Sequence, residues 1–234
     1  MIGAAPGEGF AVGWYGKIPG TGDFIARRVP ASFRDPWDRW LQRAIEGSRE
    51  RLGPQWRDAF LSMPAWRFAL SPGVVGASAW AGLMVPSVDS VGRYFPLTVA
   101  CELPSASLDA AATLLGAGRW FDDIESIALE AITPGADAAA IDAALARQRF
   151  EARWLAQPAE DDATNPLRSA RPRMLRFDLG ARLPDERVCE PYSAWLAEAS
   201  EMFGRTLLLC ESLPAGGPFC AMMDGRWADH GWET

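Results

Sequence analysis

The sequence predicts an α+β fold with a central, mainly antiparallel sheet and helices packed against it. Three observations carry this. Apolar and polar residues alternate in three consecutive short segments between residues 66 and 101. Apolar residues recur at spacings of three and four in 31–52, and apolar side chains punctuate the alanine-rich stretch 108–156. Glycine and proline mark the breaks between these segments. With 234 residues, 49% hydrophobic and 23% charged, the chain has an ordinary globular balance. A chain of this size buries roughly 70% of the surface its unfolded state exposes, so a core forms without disulfides or a structural metal.

Residues 1–9, rich in Gly and Ala, read as a flexible leader. Phe10-Ala-Val-Gly-Trp-Tyr15 is short, apolar and bounded by Gly16, which predicts the first strand. Gly16-Lys-Ile-Pro-Gly-Thr-Gly22 then carries three glycines and a proline, too many for regular structure, and predicts a shaped loop that runs to Phe24. Phe33, Trp37, Trp40, Leu41, Ala44 and Ile45 share one face of a helix from about Ala31 to Leu52, with Ser32 as its expected cap and Gly53-Pro54 as its stop. A shorter helix, Gln55 to Leu61, ends before Pro64. The two are expected to lie antiparallel.

Trp66–Leu70, Ala77–Val85 and Tyr94–Cys101 predict a three-strand meander. Residues 108–156 predict two helices divided at Pro134-Gly135. The polar, acidic stretch Gln157 to Arg173 is expected to be a mobile surface linker and the first site of proteolytic nicking. Beyond it the sequence predicts a weak strand near Met174–Leu179, a helix around Pro191–Phe203, and two closing strands at Thr206–Cys210 and Phe219–Met223. Trp37, Trp40, Trp66, Trp80, Trp120 and Trp154 fall on apolar faces and read as core, whereas Trp14 and Trp227 lie near turns and are candidates to anchor a partner.

Composition excludes several functions. A formal charge of −7 argues against binding a phosphate backbone, so nucleic acid is not an expected partner. The apolar runs are shorter than a dozen residues where a spanning helix needs about 20, and Met1–Phe10 lacks the basic start of a signal peptide. The expected address is the cytoplasm, with no insertion into membrane. Cys101, Cys189, Cys210 and Cys220 are scattered, which predicts reduced, packed thiols. One histidine and four dispersed cysteines leave no workable metal-ligand spacing.

Gly16-Lys17 is followed by Ile18-Pro19 rather than by the Lys-Ser or Lys-Thr of a phosphate loop, and Gly20-Thr-Gly22 lacks the third glycine of a dinucleotide fingerprint. Ser87 and Ser90 lack the glycine flanks of a nucleophile elbow, and His230, close to the chain end, reads as a solvated tail residue. Neither a catalytic residue nor a cofactor is expected.

Polar residues instead concentrate in two glycine-bearing loops: Lys17, Thr21, Asp23, Arg27 and Arg28 around 16–24, and Ser87, Asp89, Ser90 and Arg93 in 86–93. Two readings stay open. Asp89 and Arg93 pair with each other or cap turn amides, and the glycines supply positive φ. Alternatively, Lys17, Asp23, Ser87, Asp89 and Arg93 lie together and contribute to a partner-binding surface, with Lys17 and Arg93 as exposed rim charges.

These loops also carry a family resemblance. Gly13-Trp-Tyr-Gly-Lys-Ile-Pro-Gly-Thr-Gly-Asp-Phe24, Trp37-Asp-Arg-Trp-Leu-Gln42, Trp66-Arg-Phe68 and above all Val85-Pro-Ser-Val-Asp-Ser-Val-Gly-Arg-Tyr-Phe-Pro-Leu97 resemble the TagF (ImpM) proteins associated with bacterial type VI secretion. The likeness is strongest over 10–135, the family's N-terminal-type domain. It is thinner over 136–234, expected to complete the same globule, where Arg205–Pro214 and Met223–Trp227 still look familial. The resemblance implies a layered α/β fold, its antiparallel sheet flanked by helices in the manner of longin-type domains. It further implies a cytoplasmic, non-enzymatic protein that restrains the secretion machine after translation by engaging its forkhead-associated scaffold protein. The alternative is a small enzyme or nucleotide-binding switch built on the loops at 16–24 and 86–93.

Overall fold

A computed structural model describes residues 9–156, 175–178, 192–199 and 204–232. Among these, nine strands form one sheet: β1 Gly9–Gly16, β2 Ile25–Arg27, β3 Trp66–Leu70, β4 Ala79–Val85, β5 Leu97–Leu103, β6 Arg149–Glu151, β7 Leu175–Asp178, β8 Ser193–Ala197 and β9 Thr206–Cys210. Eight follow the order β2-β1-β5-β4-β3-β8-β9-β7, and β6 pairs with the start of β1. Every neighbouring pair is antiparallel. The described helices are α1 Ala31–Leu52, α2 Trp56–Ser62, α3 Ala110–Gly116, α4 Gly118–Ala131, α5 Ala138–Arg147 and α6 Gly217–Asp224.

Successive side chains of a strand point to opposite faces, and here both faces are covered. Phe68, Leu70, Trp80, Met84, Trp195 and Leu208 enter a core with Trp37 and Trp40 of α1, Phe60 of α2 and Phe219 of α6. Their neighbours Ala69, Ala81, Leu83, Val85, Leu196 and Leu207 enter a second core with Leu114 of α3, Phe121 and Ile124 of α4 and Leu145 of α5. The result is a three-layer sandwich, helices on both sides of one antiparallel sheet. Arg67 pins α4 to the sheet: its buried guanidinium reaches Asp122 at 2.7 Å and Glu125 at 2.8 Å on that helix, and Glu198 at 3.4 Å after β8.

The meander β3-β4-β5 and the α1–α2 pair stand where the sequence places them. Other elements differ, for identifiable reasons. Ser193–Ala197 is a strand rather than part of a helix over 191–203, because it is seated between β3 and β9 and buried throughout. Residues 191 and 200–203 lie outside the described residues. Phe219–Met223 is helical within α6, where Pro218 opens the first turn and a left-handed Gly225 closes the last. Ser32 caps nothing; α1 starts at Ala31 behind Pro30. The 108–156 stretch breaks twice, at Ala117 as well as around Pro134-Gly135, and ends in β6. The short strands β2 and β6 were not expected.

Trp14 and Trp227 are core residues, not surface anchors. His230 is also buried: its Nδ1 accepts from Arg51 Nε at 3.2 Å and its Nε2 lies 2.9 Å from Asp224, stitching the C-terminal residues to the end of α1. Cys101, Cys210 and Cys220 are free and buried, and burial pushes the thiols of Cys101 and Cys210 up to about 12. Cys189, the leader to residue 8 and the stretch 157–173 lie outside the described residues.

Trp37 ties the first core together. Its indole N–H donates to Thr98 Oγ1 at 3.0 Å, and its ring lies 5.0 Å from Phe33, 4.6 Å from Trp40 and 4.9 Å from Phe68. Trp37→Ala is expected to cost about 3–5 kcal/mol in urea unfolding. Exposed Leu129→Ser should stay within about 0.5 kcal/mol.

Candidate functional site

Tyr15 at the end of β1 pairs with Thr98 at the start of β5, and Val85 at the end of β4 pairs with Leu97. The β1–β2 loop and the β4–β5 loop therefore leave the same end of the sheet, side by side. Backbone and side chain stitch them together. Ser87 Oγ donates to the Lys17 carbonyl at 2.7 Å, the Ser90 amide donates to the Thr21 carbonyl at 3.1 Å, and the Arg93 guanidinium donates to the Gly22 carbonyl. Close approach sets the composition: a Cβ on Gly20 would lie 2.9 Å from the Ala136 carbonyl, and Gly92 turns the second loop at φ 83°.

Asp89 is the hub. Its Oδ2 accepts from Lys17 Nζ at 2.8 Å and from Arg93 Nε at 2.7 Å, while its Oδ1 accepts from the amides of Val91 at 3.0 Å and Arg93 at 2.8 Å. The side chains of Asp89 and Lys17 are 0% and 5% exposed. Burial alone would push the Asp89 carboxyl up. The hydrogen bonds from Lys17, from the Arg93 backbone and side chain and from the Val91 amide outweigh it and hold the group well below the usual carboxylate range. A charge so buried persists only when paired and fully hydrogen-bonded, and this one is both.

Lys17, Ser87, Asp89 and Arg93 are thus brought together, with Asp23 in the same loop but turned to the Phe24 amide at 2.8 Å. The expectation that Lys17 is an exposed rim charge fails, because Asp89 draws its ammonium inward over the Phe24 ring, 4.8 Å from the centroid. Arg93, 56% exposed, does face solvent. The pairing of Asp89 with Arg93 and the capping of turn amides hold together with the clustering of the loops.

Two apolar tips escaped sequence reasoning: Phe24, 41% exposed, and Val91, 67% exposed. Their only signal was an apolar residue inside a glycine-bearing turn. Phe24 stacks on Tyr15 at 5.5 Å and meets Phe95 edge-on at 4.8 Å, which fixes it on the surface. Beyond Phe95 a groove of about 390 Å³ opens between this loop and α1, floored by Ile45, Tyr94 and Phe95.

Seven amides of the two loops are turned inward. Those of Thr21, Phe24, Asp89, Ser90, Val91, Gly92 and Arg93 all donate to loop carbonyls or carboxylates. A phosphate cradle needs such amides pointed at the ligand. Among the described residues no group of three or more His, Cys, Asp or Glu is placed to hold a metal ion, and no helix is long and apolar enough to cross a membrane.

The model of one family, described as the TagF N-terminal domain, type VI secretion system-associated, matches residues 13–148, a span that contains both loops and the groove. The chain belongs to the TagF family. A crystal structure of PA0076 from Pseudomonas aeruginosa PAO1 is similar to this TagF-family chain at 34% identity and a TM-score of 0.71, covering 92% of this chain and 95% of that one. The structural likeness therefore runs past residue 148 into the β8–β9 half of the sheet. Comparison with curated proteins gives no match.

Asp89→Ala strands a buried ammonium and two turn amides, and is expected to cost about 3–5 kcal/mol at pH 7. Arg93→Ala, at a largely exposed contact, should cost no more than about 1 kcal/mol. Because the Asp89 carboxyl is held below its unfolded value of about 3.9, its contribution is complete above about pH 5 and is lost as pH falls below about 4. Urea unfolding at pH 7, 5 and 3 checks this: the gap between Asp89→Ala and the unaltered chain should narrow only at the lowest pH.

Proposed function

We propose that this TagF-family protein is a post-translational negative regulator of the type VI secretion system. It acts in the cytoplasm, without catalysis or cofactor, by binding the machine's forkhead-associated scaffold protein. The observation that carries this reading is the loop pair itself: two loops at one end of the sheet, locked by a buried charge, present Phe24, Val91 and Arg93 in fixed positions. Pre-ordered loops lose little entropy on association, so a small set of exposed groups can supply useful affinity. An aromatic tip beside an arginine is the composition in which interface hot spots are enriched. Seven loop amides are spent on internal hydrogen bonds, which favours protein contact through side chains as the chemistry this surface offers best.

Titration of the purified chain with the purified scaffold, followed by calorimetry, tests the reading. Phe24→Ala combined with Val91→Ser should weaken binding at least tenfold, about 1.4 kcal/mol, with melting temperature nearly unchanged. The same variant should fail to restrain secretion in a strain lacking the native gene. A scaffold that does not bind the unaltered chain would overturn the reading, as would a folded double variant that binds and represses normally.

A further inference from the structure

We infer that the groove between α1 and Tyr94–Phe95 is the seat of a cationic, amphipathic segment of a protein partner. The segment carries an apolar side chain that fills the groove, flanked by Lys or Arg. The inference rests on the regulatory reading above and deepens it by giving the chemistry of the docking segment. The groove, about 390 Å³, has an apolar floor of Ile45 and Phe95 with half-buried Tyr94 beside them. Phe24 continues that floor toward the loop pair through its contact with Phe95. The seat and the loop surface are therefore one continuous strip.

Charge decides the occupant. Glu46 and Glu50 line the groove from α1, both exposed. They are four residues apart on a helix, where like charges repel, so helix stability does not account for them. Neither forms an ion pair among the described residues, although Arg43 is only three residues from Glu46. The arginine between them, Arg49, also lines the groove, but its guanidinium is drawn over the Trp56 ring at 4.3 Å and pairs with neither glutamate. Two to three turns earlier on α1, Asp38 accepts from two neutral donors, Tyr15 Oη at 2.6 Å and Gln42 Nε2 at 2.7 Å. An apolar slot beside unpaired carboxylates complements an apolar anchor with basic flanks, and a helix lying in a groove is the recurrent way to present one.

The test uses the whole chain and two synthetic amphipathic peptides of equal length, one of Leu and Lys, the other of Leu and Glu. Amide signals are followed by NMR. The Leu–Lys peptide should shift signals of residues 45–50 and 94–95, and bind at least tenfold more tightly than the Leu–Glu peptide. The exposed double substitution E46K/E50K should reverse that preference. Equal binding of the two peptides, shifts confined to other surfaces, or a Leu–Lys preference that survives E46K/E50K would each overturn the inference. The scaffold gives an independent arm. If it binds E46K/E50K as tightly as the unaltered chain, the groove is not its seat while the regulatory reading stands. If it binds neither, the regulatory reading fails and the peptide comparison alone decides the groove.

Discussion

The carboxylate of Asp89 keeps its charge with no side-chain surface in water, and the end of the sheet is arranged around that fact. Removing such an ion from solvent costs several kcal/mol unless its partners are complete. Here the partners come from both loops: an ammonium from the β1–β2 loop, and a guanidinium and two amides from the β4–β5 loop. Each loop is thereby held by the other. A hydrophobic pair of equal volume would pack as stably, but it would not fix the orientation of the turn amides or of Arg93. The clamp defines geometry more than it adds stability.

That geometry needs a rigid base, and the sheet supplies it. Both faces are covered, so the strands cannot slip register without turning one core's residues into the other. Most of the large aromatic side chains fall on the α1–α2–α6 side; the opposite core holds Trp14, Trp120, Phe121, Phe150 and Tyr192, with Ala69, Ala81 and Ala194 on the strands β3, β4 and β8. Tryptophan fills volume but brings a donor that usually finds a partner when buried. Trp37 donates to Thr98, Trp40 to the Pro214 carbonyl, Trp56 to Ser48, Trp66 to the Met222 carbonyl and Trp195 to Ser193. Three of these bonds tie one secondary element to another. Two of them lock a helix to a strand and the third locks α2 to α1, and α1 in turn forms one wall of the groove.

Much of this was legible in the sequence because its periodicities are strong. The apolar spacing of Phe33, Trp37, Trp40 and Leu41 marks α1, and the alternation in Trp66–Leu70 marks β3. The errors arise where periodicity vanishes. Ser193–Ala197 is made of residues that suit a helix, and it is a strand because β3 and β9 flank it, so tertiary pairing overrides local preference. Phe219–Met223 is apolar at every position and carries no period to separate helix from strand. At the loops, the residue types that cluster were visible as polar letters among glycines. Their roles were not: Lys17 and Arg93 are the same charge in a sequence, and only the fold turns one inward to Asp89 and leaves the other in water. The groove joins α1 to Tyr94–Phe95 across a long separation in the chain, which no local pattern records.

The loop surface is preformed, held as firmly as the sheet that bears it. Native-state hydrogen exchange at the amides of Val91 and Arg93 measures this directly, since both donate to the buried Asp89 carboxylate. These two amides are expected to exchange only through openings nearly as costly as global unfolding, in step with amides of β4 and β5. Exchange at the rate of a free loop, while β4 and β5 remain protected, would contradict it.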